Sequence, residues 1–77
     1  MPFKTFEKCI RAMCARHGLE IYEIKNVRDR YDPDRGRYIA KLANGYTVYG
    51  NSIATSVEFR NRNHRFQTTI AGLQAAM

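Results

Sequence analysis

Between Phe3 and His17 the apolar residues Phe3, Phe6, Ile10 and Met13 recur at spacings of three and four, with Lys4, Lys8, Arg11 and Arg16 between them. That 3.6-residue period predicts an amphipathic helix. Gly18 is a natural stop, because glycine readily takes the left-handed conformation that closes a helix. From Leu19 to Lys25 the chain is rich in Ile and Tyr and partly alternates, which predicts a strand; two successive positions at Tyr22-Glu23 break the period, as a β-bulge does. Arg28 to Gly36, with Asp32-Pro33-Asp34 at its centre, reads as a turn or exposed loop. Asn44-Gly45 is a strong hairpin signal, since a type I′ turn needs positive φ at both central residues. A two-residue turn there pairs Ala43 with Tyr46, Lys41 with Val48 and Ile39 with Gly50. It places Tyr38, Ala40, Leu42, Thr47 and Tyr49 on one face, the better core candidate, and Arg37, Ile39, Lys41, Tyr46 and Val48 on the other.

Ile53 to Phe59 alternates, with Ile53, Val57 and Phe59 beside Thr55 on one side, and this favours a fourth strand over a helix N-capped by Ser52. Residues 60 to 65 are polar and basic throughout and read as a connection. Phe66, Ile70, Leu73 and Met77 then predict a closing amphipathic helix. The expectation is one compact α+β domain over residues 1–77: an N-terminal helix, a three- to four-stranded antiparallel sheet and a C-terminal helix. Both helices lie on one sheet face, covering it with Phe6, Ile10, Met13, Ile70 and Leu73 and leaving the other face to water. In layout this resembles the double-stranded RNA-binding domain, where helix, three strands and helix follow one another and basic residues open the last helix. Here Arg60, Arg62, His64 and Arg65 stand in that place, after a longer link and without a lysine-rich signature. The resemblance implies nucleic-acid binding there.

Composition sharpens the picture mainly through charge. Hydrophobic residues at 44% and charged ones at 26% are those of a chain that folds, and 77 residues make one thin core. Thirteen Lys and Arg, nine of them Arg, oppose seven Asp and Glu for a formal charge of +6. Residues 1–18 contribute +3, residues 19–34 contribute −2 and residues 35–77 contribute +5. An anionic partner is therefore expected. No apolar run approaches the roughly 20 residues of a membrane span, and the N-terminus shows no signal-peptide h-region. Cys9 and Cys14 sit about 140° apart around one helix by 3.6-residue geometry, poorly placed to be bridged to each other, which points to a reduced, cytoplasmic setting.

Four groups of residues could carry chemistry. Arg60, Arg62, His64 and Arg65, arriving at an expected helix start, would make an anion site from guanidinium forks and unpaired backbone N–H groups. Arg37, Lys41 and Tyr46 would make a basic, aromatic sheet face of the kind on which nucleic acids stack. Arg28, Arg30, Arg35 and Arg37 around Asp29, Asp32 and Asp34 read as a salt-bridged exposed loop; a calcium loop would need a third ligand and a distal glutamate. Cys14 and His17 share a helical face, but Cys9 lies well round from them and no CxxC pair is present, so the cysteines read as small buried hydrophobes. Neither a metal nor a cofactor is implied. Cys14, His17 and Glu20 do not specify a triad, and no phosphate-cradling glycine loop or HExxH is present.

The sequence thus points to a small non-enzymatic binding protein whose basic, Arg-rich face engages nucleic acid or the acidic surface of a nucleoprotein complex. A second class is a protein-binding inhibitor or adaptor, of which phage-encoded anti-defence proteins such as anti-CRISPRs are examples. Ile39, Tyr46 and Val48 on the mixed hairpin face would also suit a homodimer contact.

Overall fold

The computed structural model describes residues 1–27 and 36–75, residues 74 and 75 by backbone alone. The expected loop from Arg28 falls almost wholly on residues 28–35, outside the described residues. Helix α1 (Phe3–Arg16) is followed by five strands, β1 (Ile21–Val27), β2 (Arg37–Leu42), β3 (Thr47–Asn51), β4 (Ser56–Arg60) and β5 (Arg65–Thr69), and by a short helix α2 (Ile70–Ala75). The strands form one antiparallel meander in the order β1-β2-β3-β4-β5. The α+β class is as expected, but the sheet has five strands where three to four were expected.

The N-terminal helix ends as its sequence predicts. Gly18 has φ 63° and donates to the Ala15 carbonyl, while Leu19 N–H reaches back to the Cys14 carbonyl at 2.7 Å. This pair of bonds satisfies carbonyls that a helix end otherwise leaves open. The face turned inward carries Phe6, Cys9, Ile10 and Cys14, so both thiols are core residues. β1 then pairs with β2 through a register shift between Ile21 and Glu23, with Tyr22 as the exposed extra residue at the expected bulge.

The β2–β3 hairpin departs from expectation by one residue, with a large consequence. Leu42 N–H donates to the Tyr46 carbonyl at 2.9 Å and Gly45 N–H to the Leu42 carbonyl at 3.2 Å, so the loop is Ala43-Asn44-Gly45. Asn44 Oδ1 accepts from Tyr46 N–H, and Gly45 takes φ 90°. A turn followed by a left-handed glycine is the three-residue alternative to the two-residue type I′ loop. The observed partners are Ala40 with Val48 and Ile39 with Tyr49. Because side chains alternate, one residue of slip exchanges the faces of the whole strand. Val48 is fully buried and Tyr46 turns toward the helices, whereas Thr47 and Tyr49 move to the open face. The homodimer surface of Ile39, Tyr46 and Val48 is therefore not a single surface.

Residues 53 to 55 are not part of a strand. Asn51 Oδ1 accepts from Ile53 and Ala54 N–H at 2.9 and 2.6 Å, closing a turn that leaves Ile53 72% exposed. Val57 and Phe59 do face the core. The largest correction is at the C-terminus, where Arg65–Thr69 is a strand and not the first turn of a helix. Asn61 N–H donates to the His64 carbonyl at 2.8 Å, and Asn63 N–H to Asn61 Oδ1 at 2.9 Å, forming a hairpin that pairs Arg60 with Arg65 and Phe59 with Phe66. The helix begins only at Ile70, where Thr69 Oγ1 accepts from Gly72 N–H at 2.9 Å as an N-cap does. Two adjacent threonines favour a strand by their branching, and the second of them caps α2.

Both helices lie on one face of the sheet. Leu73 of α2 joins Phe6, Ile10, Cys14, Tyr38, Ala40, Val48, Val57 and Phe59 in one core. The likeness to the double-stranded RNA-binding domain does not survive, since that layout has three strands and a helix where this chain has β5. Among the described residues no helix is long and apolar enough to cross a membrane.

Candidate nucleic-acid interface

With the core on the helix side, the alternate positions of every strand point to the opposite face, which no described element covers. Lys25 of β1, Arg37 and Lys41 of β2, Arg60 of β4 and Arg65 of β5 stand there, with Glu23 and Glu58 as the described carboxylates among them. Among the described residues, five cations against two anions leave this face at +3. Near its centre is a shallow concavity of about 390 Å³ lined by Arg37, Tyr49, Asn51, Ser56, Glu58, Arg60 and Gln67.

Each carboxylate is shared. Glu23 accepts from Lys25 Nζ at 3.0 Å and Lys41 Nζ at 3.6 Å. The hydrogen bond and charge of Lys25, helped by Lys41, hold its carboxyl below the usual carboxylate range. Glu58 Oε1 accepts from Arg60 Nε and stands 3.8 Å from Arg65 Nε. The Arg60 hydrogen bond, followed by the charges of Arg60 and Arg65, likewise pulls the Glu58 carboxyl down. Reciprocally, the bond to Glu58 raises the Arg60 guanidinium. Both acids therefore stay ionised at neutral pH and fix their cations at the surface without cancelling them. The Arg60 guanidinium also lies over the Tyr49 ring, 5.0 Å from its centroid. Arg37 has no described carboxylate partner.

The residues singled out from sequence are divided by this arrangement. Arg37, Lys41, Arg60 and Arg65 share the open face. Arg62 lies in the β4–β5 hairpin tip, over a dip lined by residues 60–65. His64 leans the other way, its ring edge-on to Phe66 with centroids 6.2 Å apart. Tyr46 is on the helix side, within 6.4 Å of Phe59 and 5.9 Å of Phe66, ring centre to ring centre. The helix N-terminal anion site does not form, because these basic residues flank a hairpin and α2 starts at Ile70. Tyr49, Glu58 and Gln67 join the site although the sequence does not single them out. A signal for Tyr49 exists: placing Val48 in the core and Gly50 beneath Phe6 requires the three-residue loop.

A second basic surface lies on α1, where Lys4, Lys8, Arg11 and Arg16 face water and Arg11 is paired with Glu7 at 3.2 Å. Its cations stand on the exposed side of a helix. On the helix side of the sheet, an apolar groove of about 200 Å³ is lined by Met13, His17, Leu19, Leu42, Tyr46, Phe59 and Phe66. Phe66 stacks on Phe59 at 4.9 Å and remains 44% exposed. The Cys14 thiol is buried and pushed up by desolvation, away from the thiolate a nucleophile or metal ligand needs. Among the described residues no three His, Cys, Asp or Glu side chains come together as metal ligands would.

The chain matches no protein-family model, no curated protein and no solved structure, so its own geometry carries the functional reading.

Proposed function

We propose that this is a small binding protein, not an enzyme, that engages nucleic acid, free or within a nucleoprotein complex, through the open face of its sheet. One observation carries the reading. A five-stranded sheet presents Lys25, Arg37, Lys41, Arg60 and Arg65 on a face that no described element covers, beside Tyr49 and in excess over Glu23 and Glu58. Five strands spaced about 4.8 Å apart make a surface roughly 19 Å across, wide enough for several nucleotides of backbone. Arginine forks supply phosphate contacts, and a basic surface of this kind gains affinity by releasing counterions.

The experiment is a binding titration at two salt concentrations. With about four cations on phosphates the salt slope for a single strand is about −3, so raising salt from about 50 to about 200 mM lowers affinity about 50-fold. Absence of binding at the lower concentration contradicts the proposal. The second reading, an inhibitor or adaptor acting on a protein target, draws on the apolar groove and half-exposed Phe66 of the opposite face. It predicts a partner whose retention is indifferent to nuclease and abolished by Phe66→Asp.

A further inference from the structure

The Arg60–Tyr49–Glu58 group is built in a way that general electrostatics does not require. Arg60 is restrained twice, by the Tyr49 ring beneath its guanidinium and by the Glu58 carboxylate at its Nε. Glu58 is itself braced by Arg65, so the carboxylate that orients Arg60 is held from both sides. The side chain of Arg60 nevertheless keeps about half its surface open, at 49%. A guanidinium that is flat, oriented and open on one side is a stacking surface, and bases stack on arginine planes as they do on aromatic rings. Around it Gln67, Ser56 and Asn51 line the same concavity and offer amide and hydroxyl groups able to hydrogen-bond a ligand there.

We infer that Arg60, laid over Tyr49 and fixed by Glu58, is a platform for an unpaired nucleobase, so that the ligand of the open face is single-stranded nucleic acid. The inference rests on the nucleic-acid reading above and narrows it. A base inside a duplex has both faces covered by its neighbours and cannot reach such a platform, whereas a base in a single strand can. The surplus of positive charge on the face selects a ring carried on a phosphate backbone.

The test compares fluorescence anisotropy of a labelled DNA strand of about 12 nucleotides, its RNA counterpart and the corresponding duplex, a length within the usual span of one single-strand binding surface. Wild-type protein is set beside Arg60→Lys, which keeps the charge and removes the plane, and Tyr49→Val, which keeps the strand and removes the ring. Wild type is expected to bind one or both strands more tightly than the duplex. Each substitution is expected to lower strand affinity about 5- to 150-fold, the range for removing one base-stacking partner, and to lower duplex affinity by much less. If all three proteins bind strands and duplex alike, the platform is overturned and the broader nucleic-acid reading stands. Failure to bind any of the probes overturns both.

Discussion

Phe6→Ala is expected to bring the domain to the edge of unfolding at room temperature. The Phe6 ring has no solvent exposure; it packs 5.4 Å from the Tyr38 ring and 6.3 Å from that of Phe3, centre to centre. It also sits directly over Gly50, where an added Cβ would come within 3.0 Å of it, so helix and sheet meet through this ring with no side chain between. Removing a buried phenylalanine side chain costs about 3–5 kcal/mol, because the cavity it leaves collapses only in part. A domain this small has little to spare, since natural stabilities run from about 5 to 15 kcal/mol and short chains bury the smallest fraction of their surface. At about 4–8 °C per kcal/mol for domains of this size, the midpoint should fall by more than about 12 °C. Thermal or urea denaturation followed by circular dichroism measures it, and a fall of only a few degrees would show that the helix is not held where the structure holds it.

The second large effect concerns the open face. Arg37→Glu with Arg65→Glu changes the net charge by the same amount as Lys4→Glu with Lys8→Glu, but the first pair lies on the sheet face and the second on α1. If affinity arose from overall charge, the two double variants would weaken nucleic-acid binding equally. Contact at the sheet face predicts otherwise. Removing one cation from the phosphates of a single strand weakens binding about 5-fold at about 0.1 M salt, so removing two weakens it about 25-fold, and the salt slope should shrink from about −3 to about −1.5. The α1 pair should change affinity only a few-fold through the long-range field, with the slope kept. Equal weakening, or greater weakening by the α1 pair, would move the binding surface to the helix.

How much of this was legible in the sequence depended on how local each determinant is. The N-terminal helix was legible because its apolar spacing and its closing glycine lie within one continuous stretch. The bulge at Tyr22 was visible for the same reason. The β2–β3 register was not, because Asn44-Gly45 is compatible with loops of two or three residues, and the choice is made by Val48 entering the core and Gly50 fitting beneath Phe6, far away in the chain. That choice decided the site, exchanging Tyr46 for Tyr49 on the open face. β5 was concealed by a coincidence of period: Phe66, Ile70 and Leu73 have helical spacing, although Phe66 belongs to a strand against Phe59 and only Ile70 and Leu73 to the helix. Arg60 and Arg65 stand out in the sequence for their charge and do share the open face. Their proximity comes from a hairpin instead of a helix start, which is why Glu58, two residues before Arg60 and the turn, enters the site.

Which face meets the ligand is the central claim, and backbone amide chemical-shift mapping by NMR reads it most directly. On titration with a short single-stranded oligonucleotide, binding at the open sheet face predicts shifts concentrated at Lys41, Thr47, Tyr49, Glu58, Arg60, Arg65 and Gln67, with the exposed side of α1 from Lys4 to Arg16 undisturbed. Shifts concentrated on α1, or around Tyr46 and Phe66 on the helix side of the sheet, would contradict it.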